Sequence, residues 1–248
     1  MRICAFTAIC EEDSRWISQY LREMERLDIP FVMHFDRCSQ KTKSIIEGHP
    51  LCIGHTSKDD PKVEYTEQHK QGVMDFLRLR GECSWAIALD IDEVWEREAP
   101  TKLKEFSKLA GDQFDYAQVT WLNLWGDIEH IRIDGPFNFP PRVKLYNLRQ
   151  ERYWYFDHSI TNGCKMLDPL KLAKGFKPWE SLLKEGRCLR TDLVCLHHGN
   201  LTRELREIHR DRWNRIYSDA VGNNPYGFWD WQLDEVNNPP VIARHSYL

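Results

Sequence analysis

The sequence predicts an α/β protein with a central, mostly parallel sheet flanked by helices. Three observations support this fold class. Short apolar runs alternate with amphipathic segments over residues 2–95, which is typical of strands and helices that build a parallel sheet. The 248 residues are 42% hydrophobic and 29% charged, as in soluble globular proteins. No internal repeat or low-complexity linker divides the chain, so we expect a single domain.

The first half of the chain accounts for most of the predicted sheet. An apolar run predicts a strand over residues 2–10, because it ends abruptly at three acidic residues. Residues 13–27 place their apolar side chains on one helical face, with Asp13 or Ser14 as the cap. The same patterns predict further strands at 31–35, 51–53, 85–89 and 116–122, and further helices at 42–47, 65–80 and 103–109.

After residue 122, apolar runs and amphipathic segments no longer alternate regularly. Residues 135–141 are typical of a turn-rich loop, and residues 142–148 alternate in the manner of an edge strand. A basic helix is expected over residues 200–217 with Thr202 as its cap. The tail, residues 218–248, is rich in Asn, Pro and Trp, and we expect it to be irregular and packed by its aromatic side chains.

Composition and charge limit the classes of protein to which this chain can belong. No apolar stretch is long enough to cross a membrane, and the start of the chain does not continue as a signal peptide, so a cytoplasmic protein is expected. The eight cysteines show no Cys-x-x-Cys spacing, which favours buried, reduced thiols. Residues 142–215 carry 16 Lys and Arg against 9 Asp and Glu, whereas residues 1–141 are acidic, as expected if an anionic substrate binds.

The run Trp85-Ala86-Ile87-Ala88-Leu89-Asp90-Ile91-Asp92-Glu93 is the main candidate for chemistry. Carboxylates crowded at a strand end repel one another unless a cation lies between them, and oxygen ligands suit Mg²⁺ or Mn²⁺. Ligands of parallel sheets bind beyond the carboxyl ends of the strands. Glu12 and Asp36 follow two other predicted strands and should lie at the same edge.

Histidines at two other predicted strand ends are further candidates. In Leu196-His197-His198-Gly199, neighbouring side chains of an extended segment point to opposite faces, so at most one histidine binds the metal. Asp157-His158 lies at the end of the aromatic run 153–156 and is a second candidate pair. Glycine-rich phosphate loops and a Gly-x-Ser-x-Gly nucleophile motif are missing from the sequence, which leaves a metal site as the means of holding phosphates.

These motifs resemble the GT-A glycosyltransferases, in particular family-2-like members. The resemblance rests on Asp-x-Asp after a Trp-containing strand, on Arg142-Val143-Lys144-Leu145-Tyr146, and on the late His197-His198-Gly199, and it covers about residues 2–217. It implies a GT-A fold and a sugar transfer from a nucleotide-diphosphate sugar, with a UDP-sugar as the expected donor, to a hydroxyl acceptor. The cofactor that it implies is Mn²⁺ or Mg²⁺.

The resemblance also implies roles for single residues. Asp92 and His197 would bind the metal, and Asp90 would bind either the metal, through water or directly, or the ribose. Lys70 or Arg142 would approach the pyrophosphate. The remaining donor-binding positions are Ala8, Glu12, Asp36 and Ile91. Candidates for the catalytic base are Asp157, His158 and Glu180, and the choice between inversion and retention stays open.

Several alternatives follow from the same residues. The acceptor is a glycan or, in a phage modification system, a hydroxymethylated DNA base, for which the arginines of the late helix would contact phosphates. Trp125 and Trp179 are candidates for stacking on an acceptor. A metal-dependent phosphoesterase or nuclease, or an inactive sugar-nucleotide-binding module, would use the same acids. Within one domain we expect a nucleotide-binding half at 1–95, an acceptor-binding half at 96–217 and a tail at 218–248.

Overall fold

The computed structural model describes residues 2–58, 66–134, 142–149, 154–155, 177–178, 187–221, 233, 235–237 and 239–248. Its helices are α1 (Ile17–Leu27), α2 (Gln40–Glu47), α3 (Thr66–Arg80), α4 (Ala99–Leu109) and α5 (Arg203–Val221). Its strands are β1 (Ile3–Cys10), β2 (Phe31–Asp36), β3 (Cys52–Lys58), β4 (Trp85–Ala88), β5 (Glu93–Trp95), β6 (Tyr116–Trp125), β7 (Asp127–Arg132), β8 (Arg142–Asn147), β9 (Trp154–Tyr155), β10 (Lys177–Pro178), β11 (Cys188–His197) and β12 (Ile242–Arg244).

The chain forms two compact units, each assembled from separate segments. The first contains Met1–Ile91, Ala99–Gln118 and Val143–Thr191, and the second contains Asp92–Glu98, Val119–Arg142 and Asp192–Leu248. Within the described residues, none of the helices combines the length and the apolar character that crossing a membrane requires.

The first unit holds a mixed, mostly parallel sheet in the order β8-β4-β1-β2-β3. β1 runs parallel to both β2 and β4, β2 runs parallel to β3, and β8 is antiparallel to β4. Helix α3 packs on β1 and β2, and Phe6, Val32, Met74 and Ala86 belong to the core between them. The prediction of an α/β fold with a helix-flanked, mostly parallel sheet is confirmed here.

Several predicted elements differ from the structure, among them α4, which starts at Ala99, and β6, which runs on to Trp125. The chain between β1 and α1 forms a 3₁₀ turn over Glu11–Trp16, and α1 starts only at Ile17, because Asp13 accepts a hydrogen bond from the backbone N of Cys10 rather than capping α1. β3 is longer than predicted, since its polar residues continue to pair with β2. β8 has β4 on one side and β6 on the other, so it is an interior strand and not an edge strand.

The cysteines also depart from expectation. Cys4 on β1 and Cys83 before β4 form a disulfide, with Cα atoms 6.0 Å apart. The expectation of reduced thiols is therefore wrong for this pair. The other cysteines among the described residues remain thiols, as expected; they are Cys10, Cys38, Cys52, Cys188 and Cys195.

The second unit is antiparallel. β5 pairs with β11, β6 with β7, and β7 with β12. The tail, predicted to be irregular, supplies β12. Thr202 accepts a hydrogen bond from the backbone N of Leu205, as expected of the residue that caps α5.

Candidate functional site

The pairing of β5 with β11 brings the late histidines beside the acidic run. His197 lies opposite Glu93 in the antiparallel register, and the backbone N of His198 donates to the backbone O of Asp92 at 2.8 Å. The carboxylate of Glu96 accepts from the backbone N of Val194 at 2.7 Å and holds the same register. Residues that are distant in sequence thus become neighbours within the second unit.

His197 is the histidine that faces Asp92. Its Nε2 lies 3.1 Å from Oδ2 of Asp92, whereas His198 is 7% exposed and follows on the extended chain. The role of either histidine as a metal ligand stays a prediction.

Asn123 on β6 determines which nitrogen of His197 carries the proton. Its Oδ1 lies 2.9 Å from Nδ1 of His197 and also accepts from Nδ2 of Asn200 at 2.8 Å. Because an amide oxygen only accepts hydrogen bonds, Nδ1 donates, so that in a neutral ring the lone pair of Nε2 would face Asp92. Two acceptors this close repel one another unless a proton or a metal cation lies between them.

His209 on α5 completes the group and was not predicted from the sequence. Its Nε2 lies 3.8 Å from Oδ2 of Asp92, and its ring is stacked on His197 with centroids 5.9 Å apart and planes at 27°. No spacing rule connects a histidine inside a helix to a strand end. The only local signal is that α5 begins soon after the His-His-Gly motif.

Gly199 provides the space in which these three side chains meet. A Cβ at this position would lie 2.6 Å from Oδ2 of Asp92 and 2.7 Å from Cε1 of His197, and closest of all to Cε1 of His209. Real Cβ atoms are not found at such distances. The glycine is therefore needed for close approach between the backbone and the acidic group.

The donor set fits a divalent cation. One carboxylate and one neutral imidazole suit Mn²⁺, and Mg²⁺ often binds through one or two carboxylates with its other ligands from water or phosphate. Among the described residues, no group of three or more His, Cys, Asp or Glu side chains is arranged to hold a metal ion on its own. A cation at Asp92 and His197 would therefore complete its coordination with oxygen atoms of water or a ligand.

Asp90 belongs to the first unit and has a counterion there. Nζ of Lys144 lies 3.4 Å from its Oδ2. Ile91, which follows, is buried in the turn. The predicted participation of Asp90 in metal or ribose binding stays a prediction.

Glu93 has a different partner from Asp92. Its side chain is fully buried, and its Oε1 accepts from Nε1 of Trp121 at 2.6 Å. The ring of Trp121 also contacts His197, with centroids 4.9 Å apart, and the guanidinium carbon of Arg142 lies 4.7 Å from its centre. Arg142, predicted to approach a pyrophosphate, is an exposed cation at this position.

The predicted nucleoside-binding residues lie at the carboxyl ends of β1 and β2. Asp36 is 4% exposed and accepts two hydrogen bonds of 3.0 Å from Arg37. Ala8 is buried on β1 and lies opposite His34, and Glu12 is exposed on the 3₁₀ turn.

Glu11 was not anticipated as a structural residue. Its carboxylate accepts from the backbone N of Ser39 at 2.7 Å and from the hydroxyls of Ser39 and Thr42. The backbone hydrogen bond from Ser39 is the main reason that the pKa of Glu11 lies below its ordinary value.

Several predicted positions cannot be placed. Asp157, His158, Glu180 and Trp179 lie outside the described residues, as does the side chain of Lys70, whose backbone belongs to α3. The catalytic-base candidates therefore stay predictions.

Trp125 does not have the surroundings of an acceptor platform. It is 3% exposed, and the guanidinium carbons of Arg132 and Arg206 lie 4.5 Å and 3.9 Å from the centre of its ring. Arg206 is buried and pairs with Glu235. The predicted acceptor role of Trp125 and the predicted phosphate contact of Arg206 are both wrong, because neither side chain reaches solvent.

Comparisons with known proteins give similarity in chain trace only. No family model and no curated protein matches the chain. Solved structures with a similar trace include residues 1–349 of S. aureus TarS in complex with UDP-GlcNAc, with 11% identity, coverage of 96% of this chain and 72% of that chain, and a TM-score of 0.49. A glycosyltransferase involved in glycosylation of the major capsid of PBCV-1 has 11% identity, covers 86% and 100%, and has a TM-score of 0.42. Such low values carry no argument about function.

Proposed function

We propose that this chain is a metal-dependent glycosyltransferase of the GT-A type that moves a sugar from a UDP-sugar to a hydroxyl acceptor. The observation that carries the proposal is the distance of 3.1 Å between His197 Nε2 and Asp92 Oδ2, on a ring held by Asn123 and beside a glycine that leaves the space open. A divalent cation satisfies both acceptors. It also allows a diphosphate to bind in a protein that lacks a glycine-rich phosphate loop.

In this proposal Asp92 and His197 hold Mn²⁺ or Mg²⁺. Such a cation would supply positive charge against the negative charge that develops on the departing diphosphate. Arg142, an exposed cation on the ring that also contacts His197, binds a phosphate oxygen through its guanidinium. The nucleoside is assigned to Asp36, Glu12, Ala8 and Ile91, and the ribose or a water on the metal to Asp90.

The acceptor is proposed to be a glycan hydroxyl. Its proton passes to a general base in an inverting reaction, for which Asp157, His158 and Glu180 remain the candidates. The buried position of Arg206 reduces the cationic surface that a DNA acceptor requires.

The experiment combines ligand-induced stabilisation with donor hydrolysis. The protein is heated with Mn²⁺ and a panel of nucleotide sugars, and slow release of free sugar is recorded. A UDP-sugar at about a hundredfold its Kd should raise the Tm by about 5 °C or more. Asp92→Asn and His197→Ala should abolish the Mn²⁺-dependent part of the shift, whereas Asp112→Asn, on an exposed loop acid, should retain it.

The outcomes separate the rival functions. The glycosyltransferase proposal fails if no nucleotide sugar stabilises the protein, or if Asp92→Asn responds as the wild type does. Stabilisation without any release of sugar, with or without acceptor, supports an inactive binding module. Cleavage of the phosphoanhydride bond of the donor, which gives UMP and a sugar phosphate in place of free sugar, supports a phosphoesterase or nuclease.

A further inference from the structure

Trp121 joins the two side chains that are assigned to the diphosphate end of the donor. Its ring lies against His197, with centroids 4.9 Å apart and planes at 33°. The guanidinium carbon of Arg142 lies 4.7 Å from the centre of the same ring. The indole NH is occupied by its hydrogen bond to Glu93. Trp121 therefore contacts both groups without offering a ligand atom of its own.

Glu93 determines how the indole ring is oriented. Its carboxylate is fully buried and accepts from Nε1 of Trp121 at 2.6 Å. A charged acceptor makes a stronger hydrogen bond than a neutral one, and a buried indole NH without a partner is costly. Glu93, the third acid of the Asp-x-Asp-Glu run, thus has Trp121 as its partner. This hydrogen bond explains an acidic residue at position 93 without a role in metal binding.

Arg142 gains order from this arrangement. An exposed arginine samples many rotamers, and ordering it on a ligand costs conformational entropy. A planar guanidinium that stacks on an aromatic ring is attracted to it and loses less freedom when a ligand arrives. Trp121, on which the guanidinium stacks, then influences how tightly Arg142 binds an anion.

We propose that Trp121, oriented by Glu93, is a positioning residue that holds Arg142 in place for the diphosphate of the donor. This inference rests on the proposed function, because it takes the ligand of Arg142 to be a nucleoside diphosphate. Trp121 acts through Arg142 and does not itself touch the ligand.

A double-mutant cycle tests the coupling. UDP binding in the presence of Mn²⁺ is measured by titration calorimetry for the wild type, Trp121→Leu, Arg142→Met and the double variant. Arg142→Met should weaken UDP binding about tenfold, because it removes a charge-assisted contact. Trp121→Leu should weaken it several-fold, because it removes the cation–π contact that holds the guanidinium. The double variant should bind less weakly than the product of the two single effects predicts, because the part of the Trp121 effect that passes through the guanidinium disappears with Arg142.

Arg142→Lys supplies an independent test that does not depend on the stability of a Trp121 variant. Arg142 is exposed, so this replacement leaves the fold intact. Lysine keeps the charge and loses the planar group that stacks on the ring. We expect Arg142→Lys to bind UDP several-fold more weakly than the wild type.

Three results overturn the inference. Effects of Trp121→Leu and Arg142→Met that multiply in the double variant mean that Trp121 acts independently of Arg142. An Arg142→Lys protein that binds UDP as the wild type does means that stacking is not needed, and this result decides the matter if Trp121→Leu does not fold. A wild-type protein that binds neither UDP nor any UDP-sugar overturns the proposed function itself, which distinguishes the two failures.

Discussion

Around the proposed metal site, the uncharged residues Asn123 and Gly199 have as much influence as Asp92 and His197. Asn123 sets the tautomer of the histidine, and Gly199 keeps the backbone close enough for the side chains to meet. Asp92 and His197 were candidates from the sequence because each follows an apolar run. The roles of Asn123 and Gly199 were not open to prediction, because they follow from an antiparallel register that no local pattern encodes.

Gly199→Ala tests the packing around this site. The added Cβ would displace the ends of Asp92 and His197, so we expect a loss of Mn²⁺ binding and a stability cost of about 1–3 kcal/mol from overpacking. Mn²⁺ binding is measured by electron paramagnetic resonance of the free ion, and stability by urea denaturation. Gly72→Ala is the matched control, because a Cβ added at Gly72 on α3 would meet no other atom within 4 Å. Unchanged Mn²⁺ binding in Gly199→Ala would place the cation elsewhere.

Among the secondary-structure elements, those with a strong local pattern were predicted closely in both halves of the chain, including β8 at Arg142–Asn147. α3 and β2 agree with prediction within a residue, since hydrophobic periodicity and local caps define such elements. β12 was not predicted because its pairing partner β7 lies far along the chain, and β7 was missed although it also pairs with its neighbour β6. α1 begins later than expected because Asp13 is held by the backbone of Cys10.

The start of α2 gives a prediction about pH. The hydrogen bond from Ser39 places the pKa of Glu11 below its ordinary value of 4.5. Its stabilising effect is therefore present above pH 4.5 and lost as the pH falls through the lower, folded-state pKa. Glu11→Gln should cost no more than about 1 kcal/mol at neutral pH, since the group is exposed. Urea denaturation over a pH series should show this difference shrinking in acid.

Helix α5 gives a prediction about stability, because its arginines differ in environment. Arg206 is buried against Trp125 and paired with Glu235, and burial lowers the pKa of its guanidinium. Arg206→Met leaves Glu235 without this partner and should cost about 3 kcal/mol. Arg203→Met, on the exposed face where Arg203 pairs with Glu207, should cost at most about 0.5 kcal/mol. Equal costs in thermal denaturation would contradict the assigned burial.

For the molecule as a whole, the sequence indicated the fold class but not how the chain divides. The mixed sheet and its flanking helices follow from alternating local patterns. The two compact units do not follow linear halves, since Ile91 and Asp92 fall in different units. That boundary depends on contacts between remote segments such as β5 and β11.

The net charge of the protein predicts how it behaves toward nucleic acid. This charge is −4 and the isoelectric point is about 6.2, and the described arginines of α5 include Arg203 and Arg210, which pair with Glu207 and Asp211. We expect no appreciable binding of a hydroxymethylated duplex at low salt, as measured by fluorescence anisotropy. Salt-sensitive binding that is lost in Arg203→Ala/Arg210→Ala would instead favour a DNA acceptor.

Gly199 also has a consequence for how this gene can change over generations. Every amino acid other than glycine carries a Cβ, which at this position would crowd the side-chain ends of Asp92, His197 and His209. Under the proposed function, a lineage that keeps metal-dependent transfer should keep glycine here, whereas a copy released from it is free to drift. Duplicated copies with another residue at position 199 are then expected to be those that have lost the proposed activity.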